Sequence, residues 1–376
     1  MAEIVRRHRA VLETEEQLTL TQRRVLSAIE LCRTAALGGH IDVCRACDYE
    51  RPAYNSCRNR HCPKCQALAQ EKWIAARSER LLPVPHFHVV FTMPSELRAL
   101  ARYRPAAIFD ALFAAASETL LELGQSKLEA QIGVTMVLHT WTRDLRFHPH
   151  VHALVTAGGL ARDNSCWTSS NAKYLFPVKV MATLLRGKMM HALRALNARG
   201  EFEGFGDFRD PEGFDRLMSR LARMNWIVYA KKPFQRVDHV LQYLGRYTHR
   251  VAISNSRLVN VTVDEVTLRT KSGKTVTLPP LEFLRRFVQH VLPGRFHKIR
   301  HCGLYAGSHS TALSDARALL EETSPSGEKP APTGWQERLR ELTGRDVECC
   351  PLCGEKLAHL AVPHPTSRAP PKPVAA

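Results

Sequence analysis

Apolar positions along the chain recur with two different periods, and the changes of period divide it into elements. Residues 1 to about 37 space Val11, Leu18, Leu20, Val25, Ile29 and Leu31 as on a helix, with Thr19 or Thr21 to cap it and Gly38-Gly39 to stop it. Gln66 to Leu82 is a second helical stretch, ended by Pro83-Val-Pro85. His86 to Met93 reads as a buried strand halted at Pro94, and Ser95 to about Gly124 as one long helix with Ser95 as its N-cap candidate. Val134 to Trp141 and His148 to Val155 alternate like two strands joined by a turn over Thr142 to Phe147, and Thr156-Ala-Gly-Gly159 then turns the chain. A loop with a short strand fills residues 160 to 176. Pro177 to Ala198 is a basic amphipathic helix carrying Lys179, Arg186, Lys188 and Arg194. Further on come a short helix (Phe214 to Met224), a strand (Trp226 to Ala230), a helix (Val237 to His249), antiparallel β structure (Val251 to Ile253 and Arg257 to Leu278), a helix (Leu281 to Val291) and a basic loop (Gly294 to Arg300). Residues 323 to 335 have linker composition, and residues 365 to 376 are expected to be disordered.

Composition narrows the partner. The chain has 376 residues, enough for two or three domains, and a formal charge of +17. A sequence pI near 9.7 with scattered arginine pairs points to a polyanion, for which nucleic acid is the natural choice. No apolar run reaches the roughly 18 residues of a membrane span and no signal-peptide core begins the chain, so a cytoplasmic protein is expected. Eleven cysteines in a reducing compartment argue for metal thiolates rather than disulfides. No phosphate-cradling glycine loop of the nucleotide-hydrolase kind and no internal repeat is present.

The cysteines cluster. Cys44-x-x-Cys47 and Cys62-x-x-Cys65 are two knuckles with the spacing of one tetrahedral Zn2+ site, and the thioredoxin-like βαβ setting that a redox reading needs is absent. Cys57, His61 and His40 are spares that could replace a ligand or build a second site. Arg58, Arg60 and Lys64 sit among the thiolates and are expected to face DNA phosphates. A third knuckle, Cys350-Pro-Leu-Cys353, is half a site; His359, His364 or Cys302 could complete it, or it stays empty.

The histidines cluster too. Alternation along a strand puts His148, His150 and His152 on one face, and hairpin pairing brings His139 opposite His150. Three converging neutral imidazoles with open positions make a catalytic rather than a closed structural metal site. His86-x-His88 repeats the alternation, but at the start of a strand it is more often structural. Tyr243 and Tyr247 lie one helical turn apart among Arg246, His249 and Arg250, with Lys231-Lys232 at the end of the preceding strand. Metal-bound histidines with a tyrosine in a basic protein suggest phosphodiester chemistry in which the phenol oxygen is the nucleophile.

These motifs together resemble the two-tyrosine HUH (His-hydrophobic-His) transposases of rolling-circle insertion sequences. The resemblance rests on Ser56 to Cys65, Phe91-Thr-Met-Pro94, Leu138-His-Thr-Trp141, His148 to Val155, Tyr243-Leu-Gly-Arg-Tyr247 with Thr248-His-Arg250, and Phe296 to His301. It implies an α+β chain: an HUH nuclease fold with a central antiparallel sheet flanked by helices, preceded by a small helical zinc-binding domain. The expected divisions are 1–80 (zinc and DNA binding), 81–310 (nuclease, with the tyrosine helix) and 311–376 (linker and flexible tail). By the same resemblance His150 and His152, with His139 third, hold a catalytic Mg2+ or Mn2+; Tyr243 and Tyr247 are the nucleophile pair. The resemblance also implies single-stranded element ends as the substrate and strand passage through 5′-phosphotyrosine. A replication initiator or relaxase shares this chemistry, and a non-catalytic zinc-dependent DNA-binding protein shares the fold without it.

Overall fold

The computed structural model describes residues 1–65, 70, 73–74, 80–208, 210, 212–234, 251–270, 273–322, 340, 344 and 346–362. A six-stranded sheet organises the larger part of them. Its path is β11 (Ile299–Gly303), β4 (Ala130–Trp141), β5 (Phe147–Ala161), β3 (His86–Thr92) and β7 (Ile227–Phe234), with β6 (Trp167–Ser169) paired to the far end of β5. Every neighbouring pair is antiparallel.

Strand alternation gives the sheet two unlike faces. Phe87, Val89 and Phe91 of β3, Val134, Met136 and Leu138 of β4, and Val151, Ala153 and Val155 of β5 are all buried in one core. That core is closed by α4 (Pro105–Lys127) through Phe109, Leu112, Phe113, Ala116 and Leu120, and by α5 (Val178–Ala198) through Met181, Leu185, Met189 and Leu193. Each large apolar side chain buried there contributes roughly 1.5–3 kcal/mol, so this face anchors the sheet. The opposite face is apolar only at one end, where Leu81, Leu82, Val137, Leu154, Leu304 and Tyr305 pack with Leu313 and Ala316 of α8 (Ser310–Glu322). Its other end carries the histidines.

The hairpin is longer than its sequence suggested. β5 runs through Thr156 to Gly159 instead of turning there, because Gly158 adopts φ +133° and lets the strand bend while still pairing with β6. A side chain at Gly158 would sit 2.4 Å from the carbonyl oxygen of Thr168. The expected long helix after Pro94 is broken: a short α3 (Arg98–Tyr103) ends at Arg104, whose backbone leaves the helical region ahead of Pro105. β11 was hidden in the basic loop. Its Arg300 faces the helical core, where the guanidinium lies 4.3 Å from the centroid of the Phe113 ring and pairs with Asp110, so the strand shows no apolar alternation.

The N-terminal helices α1 (Ala2–Glu15) and α2 (Leu20–Leu31) match the expected periodicity. Thr19 caps α2 in a reciprocal box with Gln22. They do not form a body of their own: Ile4, Val5, Leu12, Leu26 and Ile29 share a core with Ile253, with Leu268 of β9 (Val266–Arg269) and with Phe283 and Phe287 of α7 (Pro280–Val288). β9 lies between β8 (Leu258–Val261) and β10 (Thr275–Leu278), as the β pattern predicted. A third sheet has the order β12-β1-β2, built from β1 (Gly39–Val43), β2 (Glu50–Tyr54) and β12 (Ala358–Val362). The zinc-bearing part is thus not purely helical, and residues 358–362 of the expected flexible tail are a strand. Most of the 66–82 helix, the tyrosine helix, the 323–335 linker and the last fourteen residues lie outside the described residues. No helix among the described residues is long and apolar enough to cross a membrane.

Two buried histidines stitch these layers. His290 Nε2 donates to Leu145 O (3.0 Å) while Nδ1 meets the Thr140 hydroxyl (3.1 Å), and His86 Nε2 meets the Tyr305 hydroxyl (2.7 Å). Burial pulls both imidazoles down to about 4, so each is neutral when folded and takes a proton at its ordinary pKa of about 6.5 when unfolded. Their contribution is therefore complete above about pH 6.5 and is lost as pH falls toward 4, at up to about 1.4 kcal/mol per pH unit for each. Urea unfolding of wild type and of His86→Asn/His290→Asn at pH 7.5, 6.0 and 5.0 checks this. The variant should be weaker at pH 7.5 yet lose less stability on acidification; equal losses in both proteins would contradict the assignment.

Candidate active site and metal centres

The register of the β4–β5 hairpin builds the first site. His139 and His150 are direct cross-strand partners, and His152 follows two positions along β5 on the same face. The three rings converge: the 139–152 centroids are 4.4 Å apart, the 150–152 centroids 4.8 Å and the 139–150 centroids 5.5 Å. One ring nitrogen from each lies within 4.8 Å of the others, as three ligands of one ion require.

The surroundings prepare these rings for a cation. His150 Nδ1 donates to His148 O (2.6 Å), and His152 Nδ1 is 2.8 Å from His88 Nε2, so Nε2 is the nitrogen that His150 and His152 offer to an ion. Burial lowers His150 to about 4 and His152 well below its ordinary value, and the neighbouring imidazoles push the same way. Both rings are neutral at pH 7, the form that ligates metal. Trp141 stacks on His139 with centroids 4.6 Å apart, fixing that ring from the side. His148, on the same face, is not in the triad; its Nδ1 meets Arg98 Nη2 at 3.2 Å.

His88 was expected to be structural and instead touches the site. It sits on β3, stacked on His152 with 10° between the ring planes, and burial lowers it to about 4. The His-x-His alternation of β3 was the available signal; what sequence could not show was that β3 pairs with β5 and sets Val90 opposite His152. Lys231 pairs across from His88 on β7, is exposed, and depresses both His88 and His152 electrostatically, which places one cation at the rim. Lys232 also lies on β7. Tyr243, Tyr247, Arg246 and Arg250 lie outside the described residues.

The thiolates are sorted differently from expectation. Cys44 and Cys47 do not join Cys62 and Cys65: one group is Cys32, Cys57, Cys62 and Cys65, the other Cys44, Cys47, Cys350 and Cys353. The reason is the β1–β2 hairpin. Cys44 and Cys47 lie in its turn, whereas Cys57 and Cys62 follow its open end, where Gly39 pairs with Tyr54. Five-residue strands hold those two ends roughly 13 Å apart, too far for ligands of one ion.

In the first group Cys32 Sγ lies 3.2 Å and Cys57 Sγ 3.6 Å from Cys65 Sγ, close to the roughly 3.8 Å that four thiolates on Zn2+ at about 2.3 Å would adopt. A hydrogen bond from Cys62 draws the Cys57 thiol down to about 5, while burial raises Cys32 to about 11 and the Cys57 contact raises Cys62 further. Cys57 thus gives up its proton easily while Cys32 and Cys62 hold theirs, a conflict that a divalent cation among the four sulfurs removes. Cys32 was missed because it stands alone, directly after α2, with no knuckle to mark it. Of the spare ligands, Cys57 joins this group, whereas His61 accepts from Leu292 N (3.2 Å) and contacts Asn59, and His40 contacts Asp42 (3.0 Å). His359 also bonds Asp42 (2.7 Å), and Cys302 stands apart with its thiol pushed up to about 12 by burial.

Arg58 and Lys64 are exposed beside the first group. Arg60 is not displayed to a phosphate: its guanidinium donates to Phe296 O (2.5 Å) and Pro293 O (2.9 Å), tying the knuckle to the segment after α7.

This arrangement predicts that metal affinity depends on His88 through His152. Calorimetric Mn2+ titration should show His88→Ala binding 10- to 100-fold more weakly, His88→Gln recovering part of the loss and His152→Ala losing binding outright. Unchanged affinity in His88→Ala would show the contact to be packing alone.

Comparison with known proteins identifies the family. A family described as "Putative transposase" matches residues 133–312, and a "Transposase zinc-binding domain" matches residues 4–93. The chain is 41% identical over 367 residues to "Putative transposase y4qJ" of Sinorhizobium fredii (strain NBRC 101917 / NGR234), covering 94% of this chain and 92% of that protein. It is 29% identical over 349 residues to "Transposase for insertion sequence element IS801" of Pseudomonas savastanoi pv. phaseolicola, covering 88% and 81%. No solved structure matches. The chain therefore belongs to the two-tyrosine HUH transposases of rolling-circle insertion sequences, with an N-terminal transposase zinc-binding domain.

Proposed function

We propose that this transposase cuts and rejoins single-stranded DNA at the ends of its mobile element through 5′-phosphotyrosine intermediates. The observation that carries the reading is the convergence of His139, His150 and His152 on one nitrogen-lined point of the sheet, with Lys231 beside them. A bound Mg2+ or Mn2+ would supply Lewis-acid polarisation of the scissile phosphate. Lys231 and the guanidinium of Arg98 at His148 bind flanking phosphates and fix the strand's course across the face. The phenol oxygen of Tyr243 or Tyr247 attacks the phosphorus in line. A P–O bond to tyrosine forms, the bond to the 3′ oxygen breaks, and that oxygen leaves as a 3′-hydroxyl. A free 3′-hydroxyl later attacks the phosphotyrosine, restoring the phosphodiester and releasing the phenol.

A tyrosine of pKa about 10 is only about one part in a thousand ionised at pH 7, so the attack needs help. Arg246 and Arg250, adjacent to the tyrosines in sequence, favour the phenolate, and His249 is placed in sequence to take the proton. Two tyrosines four positions apart in sequence would let a second 5′ end be captured while the first is still held.

Conservative substitutions separate the roles. Tyr243→Phe and Tyr247→Phe keep the ring and remove the nucleophilic oxygen. Each single variant, incubated with labelled single-stranded ends, should still form a denaturation-resistant adduct yet fail at complete strand transfer, and the double variant should form none. An adduct in the double variant removes tyrosine from the mechanism; normal transfer by one single variant reduces the pair to one nucleophile.

A further inference from the structure

The knuckle near the C-terminus has no place in the chemistry above, and the family's zinc-binding match ends at residue 93. Yet Cys350 and Cys353 meet Cys44 and Cys47: Cys44 Sγ lies 3.4 Å from Cys353 Sγ and Cys47 Sγ 3.5 Å from Cys350 Sγ, and all four sulfurs fall within 4.8 Å of one another. All four are free thiols.

The two knuckles are twins in backbone as well as in spacing. Cys44 N donates to Tyr49 O (2.8 Å), and Cys350 N donates to Glu355 O (2.7 Å), the same five-residue reach. Four residues past the first cysteine each chain enters the left-handed region, at Asp48 (φ +53°) and at Gly354 (φ +80°). Leu352 N points at Cys350 Sγ (3.4 Å), the kind of backbone donor that stabilises a thiolate. Each half is therefore shaped to present two sulfurs on one side, and the two halves face each other.

Among the described residues, what otherwise holds them together is slight. Behind the sulfurs the buried apolar contact is Cys44, Cys350 and Leu357, with Tyr49 against them. β12 pairs with β1 over five positions, and Asp42 on β1 gathers Arg51 of β2 (2.6 Å) and His359 of β12 (2.7 Å). A core this small does not hold a segment in water without a metal or a cross-link.

We propose that Cys44, Cys47, Cys350 and Cys353 bind a second structural zinc ion, which clasps the C-terminal segment onto the N-terminal hairpin. The protein then carries two zinc ions per chain, and its zinc-binding module is made from both ends of the sequence. The two ions differ in access. Cys47 and Cys353 are exposed, whereas no cysteine of the first group is, so chelators strip the clasp first.

Zinc per chain, measured by mass spectrometry on full-length reduced protein, should be two, falling to one in Cys350→Ser/Cys353→Ser. Hydrogen exchange should then show residues 358–362 losing protection in the variant, and in wild type on brief chelator treatment, while β11 keeps its protection. One zinc in the wild type, two in the variant, or protection of residues 358–362 that survives loss of the ion would each overturn the clasp. Quantitative thiol labelling adds a further check: a Cys44–Cys353 or Cys47–Cys350 disulfide in place of metal would overturn it as well.

Discussion

The pairing of β4 with β5 is the constraint on which the rest depends. Side chains alternate with a period of two, so a slip of one residue would turn His150 and His152 into the helical core and expose Val151 and Ala153. The register is held from the other side by apolar burial: Met136, Leu138, Val151 and Ala153 pack beneath α4 and α5 while His139, His150 and His152 stand above. One face's packing thus positions the other face's chemistry. The cost of burying neutral imidazoles is met by specific partners, His88 and the His148 carbonyl, which also orient the rings.

Around this hairpin the chain adds attachments rather than separate bodies. Arg60 fixes the first cysteine knuckle to the carbonyls of Pro293 and Phe296, and the Phe296 ring packs against Phe109 and Phe113 of α4. The first zinc-fitting group therefore sits on the same framework as the six-stranded sheet. Arg285 ties α7 to Glu15 and Glu16 at the end of α1. Such half-exposed ion pairs are individually weak, at about 0–1 kcal/mol, so the apolar core shared by α1, α2 and α7 is what joins these parts.

Much of this was legible in the sequence because it is local. The alternation around His148 to Val155 gave the strand, the shared face and the partner His139; the knuckle spacings marked six of the eight zinc-fitting cysteines. What sequence could not give was which knuckle meets which. That depends on a hairpin that drives Cys44 and Cys62 apart and on a strand, β12, that returns some three hundred residues later. Cys32 was invisible because a lone cysteine after a helix has no pattern. β11 was missed because Arg300 occupies a core-facing position on the strength of aromatic contacts. Arg60 looked like a phosphate ligand because its role as a carbonyl clamp rests on residues more than two hundred positions away.

The central claim is that β4 and β5 together form one divalent-metal site. Anomalous diffraction from crystals grown with Mn2+ tests it most directly. The account predicts a peak within about 2.2 Å of a ring nitrogen of each of His139, His150 and His152, with His88 outside the coordination shell and bonded to His152. A peak bound instead by His148 or His88, or no peak among these histidines at saturating Mn2+, would contradict it.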